Sequence, residues 1–106
     1  MPPPPSPRAG RRARARTHGK LVRDLERLAG LEQGGSPARP IPIDSPAAVE
    51  VAATARPCPL CQGSLRVEEH AAEVIDGARL RVARLFCTAC GTRRARYFRL
   101  EAPPSA

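Results

Sequence analysis

The sequence predicts a small β domain closed by its cysteines and preceded by a short amphipathic helix. Three observations point there. The four cysteines all lie in the C-terminal half, as two C-x-x-C pairs, Cys58–Cys61 and Cys87–Cys90. Midway between the pairs stands Asp76–Gly77, a residue pair favoured at the centre of a two-residue type I′ hairpin turn. The chain has 106 residues but only three aromatic rings, Phe86, Tyr97 and Phe98, and no Trp. A core that thin needs a metal, a disulfide or a partner to stabilise it.

Residues 1–16 are expected to be a disordered tail, rich in Pro and basic residues and too poor in apolar surface to offset the entropy of ordering. Residues 17–32 read as an amphipathic helix. Thr17 caps it, Leu21, Val22, Leu25 and Leu28 form its apolar stripe, and Leu31 lies at the margin. Such a helix is marginal alone and needs the β domain, a second copy or a partner to pack on. Residues 33–56 read as a linker broken by Gly34, Gly35, Pro37, Pro40, Pro42 and Pro46, with an edge strand over 49–54. Residues 57–101 form the β domain, and 102–106 a second disordered tail.

Within 57–101 a hairpin centred on Asp76–Gly77 pairs Ile75 with Ala78, Ala71 with Val82, Glu69 with Arg84 and Val67 with Phe86. That register places Leu65, Val67, Ala71, Ile75, Leu80, Val82 and Phe86 on one face. The other face takes Arg66, Glu68, His70, Ala72, Arg79 and Arg81, with Val74 and Leu85 also falling there against the pattern. His70 reads as a surface residue opposite Ala83. Residues 94–100 supply a third strand, giving a three-stranded antiparallel sheet.

The hairpin also delivers the two cysteine pairs to one end. Two residues between cysteines let a tight turn aim both sulfurs at one point, and two such turns supply four thiolates, the donor set of a closed tetrahedral zinc site. Cys58, Cys61, Cys87 and Cys90 are therefore the expected ligands of one structural Zn2+, although iron takes the same donors. A redox dithiol is the competing reading, but it prefers a β-α-β setting that this pattern lacks.

Cys58-Pro-Leu-Cys61 and Cys87-Thr-Ala-Cys90-Gly91 resemble the paired knuckles of the zinc-ribbon families, found in transcription factors, RNA polymerase subunits, ribosomal proteins and topoisomerase tails. The resemblance covers residues 57–101. It implies zinc, a ribbon fold and, loosely, binding of nucleic acid or protein. One departure is Gln62, where many ribbons have Gly directly after the second cysteine.

Net charge is +8, of which residues 1–20 carry +6 with no acid. Residues 57–101 add only +3, eight Arg against five acids. Seventeen of the eighteen basic residues are Arg, a bias that GC-rich coding also produces. Arg93, Arg94, Arg96 and Arg99, interleaved with Tyr97, form a candidate nucleic-acid edge, with the tail arginines as an accessory arm. The alternatives are a protein-interaction adaptor using the 17–32 helix and a sheet edge toward an acidic partner, and a thiol redox sensor. No nucleophile–base pair, phosphate loop or open metal position suggests an enzyme or a small-molecule substrate. No apolar run approaches a membrane span, no apolar segment follows the charged start, and a reducing cytoplasm is the expected setting.

Overall fold

The structure, a computed structural model, describes residues 6–101. The expected tails at 1–5 and 102–106 lie outside the described residues. Elements follow in the order α1 (Pro7–Leu31), β1 (Ile41–Ile43), α2 (Val49–Thr54), β2 (Leu65–Ile75), β3 (Ala78–Cys87) and β4 (Arg93–Leu100), with one 3-10 turn at Pro46–Ala48 leading into α2. The sheet is four-stranded, in the order β1-β4-β3-β2. β2, β3 and β4 are antiparallel neighbours, and β1 joins β4 in parallel, so the sheet is mixed rather than the three-stranded antiparallel ribbon expected.

α1 begins ten residues earlier than the sequence suggested, so residues 7–16 are helical and not a disordered tail. Ser6 caps the helix by accepting from the Ala9 N–H, and Pro7 occupies the first turn, where a missing N–H costs nothing. Ala and Arg are strong helix formers, and that propensity is what reading the segment by its charge overlooked. Thr17 is a mid-helix residue whose hydroxyl donates to the Ala13 carbonyl, not a cap.

The region read as linker contains two elements. In β1 the Ile-Pro-Ile run lies at the sheet edge, where Pro42 needs no ladder N–H, and Ile41 pairs with Phe98. Residues 49–54 are a helix and not an edge strand. The buried pair there is Val49 and Ala53, four apart, while Val51 is 73% exposed, so burial follows the helical period and not alternation.

In the hairpin, Asp76 and Gly77 both take positive φ, 50° and 79°, as a type I′ turn requires. The expected register holds from Ile75–Ala78 through Glu69–Arg84. A bulge at Glu68 then shifts it by one, so Val67 pairs with Leu85 and Arg66 with Phe86. The shift moves Leu65 and Val67 onto the face of Ala83, Leu85 and Cys87, which packs with Val49, Ala53, Cys58 and Phe98 as the core. Leu85, misplaced in the expected register, belongs to this core. Phe86 falls on the opposite face, between the Arg66 and Arg93 guanidinium groups at 5.5 and 5.1 Å from its ring centroid. His70 does oppose Ala83, but on the face that α2 covers, so it is half-buried rather than a surface residue, with Nε2 enclosed and without a hydrogen-bond partner.

Candidate metal centre

Each cysteine pair closes a loop of the same design. In the first, the Cys58 N–H donates to the Gly63 carbonyl (2.9 Å) and the Gln62 N–H to the Cys58 carbonyl (2.8 Å). In the second, the Cys87 N–H donates to the Thr92 carbonyl (2.9 Å) and the Gly91 N–H to the Cys87 carbonyl (2.9 Å). The residue after the second cysteine takes positive φ in both loops, 63° at Gln62 and 76° at Gly91. The first cysteine of each loop, Cys58 or Cys87, is fully buried in the hydrophobic core; the second, Cys61 or Cys90, is exposed. The two loops are tied together by Thr88, whose N–H and hydroxyl both reach the Ser64 carbonyl.

The four Sγ atoms lie within 4.8 Å of one another. Cys58 and Cys90 sulfurs are 3.8 Å apart, and those of Cys61 and Cys87 are 3.4 Å apart. A tetrahedron with metal–sulfur bonds of about 2.3 Å has sulfurs about 3.8 Å apart, so the cluster has the dimensions of a four-thiolate metal site. Gly63 is essential to that closeness. A Cβ there would stand 2.7 Å from the Ala89 Cβ and 3.1 and 3.2 Å from the Cys61 and Cys87 sulfurs.

Backbone N–H groups supply the surrounding polarity: Gly63 donates to Cys61 Sγ (3.4 Å) and Cys90 to Cys87 Sγ (3.5 Å). The Cys90 thiol is lowered to about 6, first by the Thr92 hydroxyl at 3.2 Å and then by the Thr92 backbone. The Cys87 thiol is lowered mainly by the Cys90 N–H. At Cys61 the Gly63 N–H favours the thiolate, but the neighbouring sulfurs and desolvation outweigh it and push the thiol up to about 12. Four sulfurs this close cannot all ionise unless a cation sits among them, so the donor set suits a metal ion.

The five residues of the expected nucleic-acid edge are placed on β4, but four of them have protein partners. Arg93 Nε pairs with Glu68 at 2.9 Å, and Arg99 with Glu101 at 2.7 Å. Arg94, its side chain only 8% exposed, pairs with Glu26 of α1 at 2.6 Å. Arg96 donates to the carbonyls of Ala53, Arg56 (2.9 Å) and Pro57 (3.3 Å), closing the C-terminal end of α2. Tyr97 is half-buried, and its N–H donates to the Gly34 carbonyl. This edge therefore organises the fold instead of presenting free cations. Two contributors to the site and its support were missed in the sequence. Thr92 is signalled only by its place two residues after Cys90. Glu26 lies 68 positions from Arg94, and nothing local marks it.

Comparison with protein-family models, curated proteins and solved structures returns no match. Among the described residues no helix is long and apolar enough to cross a membrane.

Proposed function

We propose that the chain is a non-catalytic module built around one structural Zn2+ held by Cys58, Cys61, Cys87 and Cys90. The observation that carries this is the matched pair of loops that brings four sulfurs to the spacing of a tetrahedral thiolate site. Four protein ligands fill the coordination sphere of zinc and leave no position for substrate or water, which supports a structural rather than a catalytic role. Two ligands, Cys58 and Cys87, are also core residues, so the metal is a component of the core. Metal binding in small zinc modules contributes on the order of 10–16 kcal/mol, more than a core of this size provides alone.

The test is metal content followed by metal removal. Protein purified under reducing conditions should hold one zinc per chain, and cobalt exchange should give the visible bands of a tetrahedral tetrathiolate. Chelation should abolish the sheet signal and the cooperative melt. A zinc-free protein with an unchanged melting curve would refute the reading, and a native iron spectrum would reassign the metal.

The nucleic-acid reading of the 93–99 edge loses its support, because its arginines are already partnered. The adaptor reading retains one observation: Leu21, Leu28 and Leu31 of α1 are each more than half exposed. If it holds, removing residues 1–35 abolishes self-association or partner capture while leaving zinc binding intact.

A further inference from the structure

α1 carries a second feature that the metal centre does not use. Between Pro7 and Arg23 it has seven basic residues, Arg8, Arg11, Arg12, Arg14, Arg16, Lys20 and Arg23, and no acid. All seven are exposed, and none forms an ion pair among the described residues, in contrast to the arginines of β4. The tie from α1 to the sheet comes from its C-terminal end, through Glu26 to Arg94, while the following loop packs back on that end at Gly35, close to the Ala29 carbonyl. The helix buries no residue, and the molecule is drawn out to 74 Å along one axis against 25 and 22 Å across. The N-terminal half of α1 is therefore a basic rod open to solvent.

The arrangement around the rod is specific. At about 100° per residue, Arg8, Arg12, Arg16, Lys20 and Arg23 fall within an arc of about 120°, successive charges standing roughly 6 Å apart along the axis. Arg11 and Arg14 lie on the other flank. The remaining positions up to Lys20 are Ala, Gly, Thr17 and His18. Arg8–Arg12, Arg12–Arg16 and Arg16–Lys20 are like-charge pairs four apart, and Arg8 and Arg11 stand near the positive end of the helix dipole. Both placements destabilise the free helix, and a polyanion would relieve both.

We propose that residues 7–23 of α1 are a duplex-DNA-binding arm, lying in the major groove and contacting phosphates on both sides with little sequence preference. A helix of about 10–12 Å diameter matches the roughly 12 Å width of that groove, and the small side chains between the arginines permit close approach. Other polyanions fit less well. Residues 7–31 include no Phe, Tyr or Trp, the rings that build a stacking platform for the bases of a single strand. The major groove of duplex RNA is too narrow to admit side chains. An anionic membrane would need large apolar residues opposite the charges, and residues 7–20 have none.

The test uses the full zinc-loaded chain and a fluorescein-labelled mixed-sequence DNA duplex of about 20 base pairs, followed by anisotropy across a salt series. Seven phosphate contacts, counting both flanks, predict a slope of about −6.3 in log affinity against log salt, a loss of roughly 6,000-fold between about 50 and 200 mM. Replacing three arginines together, Arg8→Gln, Arg12→Gln and Arg16→Gln, should reduce the slope to about −3.6, because Arg11, Arg14, Lys20 and Arg23 remain. Gln keeps the helix propensity, which circular dichroism checks. Removing the same charge from the sheet, through Arg79→Gln, Arg81→Gln and Arg99→Gln, should leave the slope unchanged. The proposal is overturned if no binding is seen at about 50 mM salt, or if the helix variant keeps the wild-type slope. Equal or tighter binding to single-stranded DNA, duplex RNA or phosphatidylserine vesicles overturns it as well. Any of these results leaves zinc content and chelation-induced unfolding as they were, so the metal reading is judged separately.

Discussion

Replacing Gln62 by Gly should stabilise this protein, although the substitution removes a side chain. The two cysteine loops share the same hydrogen bonds, and their fifth residues share the left-handed backbone region, φ 63° at Gln62 and 76° at Gly91. Glycine occupies that region without a Cβ clash, whereas a residue with a side chain is disfavoured there by about 1–2 kcal/mol. Against this, glycine loses more freedom on folding, by about 0.5–1 kcal/mol. The Gln62 side chain is exposed, and no hydrogen bond of it is seen to be lost. The net expectation for Gln62→Gly is a gain of about 0.5–1 kcal/mol. Gly91→Ala, the same change in reverse at the equivalent position, should lose about as much.

The assay is thermal unfolding of the zinc-loaded protein, where a domain of this size shifts by about 4–8 °C per kcal/mol. Gln62→Gly should therefore raise the melting temperature by a few degrees and Gly91→Ala should lower it. If metal binding and folding are one event, zinc affinity should tighten about two- to fivefold in the first variant, the same free energy read as a binding constant. A Gln62→Gly protein that melts at or below wild type, with zinc still bound at one per chain, would refute the equivalence of the two loops.

Three further outcomes follow from the geometry. Gly63→Ala should weaken metal binding sharply, because its Cβ would lie 2.7 Å from the Ala89 Cβ, and Gly63→Ala combined with Ala89→Gly should recover part of the loss in a competitive zinc titration. Arg96→Ala leaves the carbonyls of Ala53, Arg56 and Pro57 without their donor and should cost about 1–3 kcal/mol in urea unfolding, with Arg96→Lys recovering only part, since an ammonium lacks the planar fork. Glu73 is held below its ordinary value chiefly by the hydrogen bond from Arg84, so its contribution is present above the unfolded carboxylate value of about 4.3 and is lost as pH falls through the lower folded one. The stability difference between wild type and Glu73→Gln should therefore hold down to about pH 4.3 and shrink on acidification below it, and it should also shrink with added salt, because both side chains are partly exposed.

What was legible in the sequence was what neighbouring residues decide. Asp76–Gly77 set the turn, the turn set the register through Glu69–Arg84, and the spacing of the cysteine pairs set the cluster. The bulge at Glu68 was not legible as such, although Leu85 on the wrong face hinted at it: an extra residue in one strand swaps the faces beyond it, and brings Leu65 and Val67 to the side of Leu85. At 49–54 the sequence mixes β-branched Val with Ala, and the choice between strand and helix is made by packing, since Val49 and Ala53 both reach the Leu85–Phe98 core. The β4 arginines show the same limit. Their charge was visible, but their partners Glu26 and Glu68, and the carbonyls beyond α2, are brought to them only by the fold.

Those partners also link the metal to the helix. β4 starts just after the second loop, whose Thr92 carbonyl holds the Cys87 N–H, and within three residues it reaches Arg94, the anchor of α1. Arg96 then grips the Pro57 carbonyl, next to buried Cys58. On the proposed metal reading, losing the ion should free both loops at once, and with them the strand that holds Glu26 and the end of α2. On the same reading, the cysteine loops are thereby linked through β4 to the end of α1 that carries Glu26. Chelation should then raise the rotational freedom of a label placed on α1 near Leu21, while Arg94→Ala should do the same with the metal still bound. If chelation mobilises the label but Arg94→Ala does not, the coupling does not run through the Arg94–Glu26 contact.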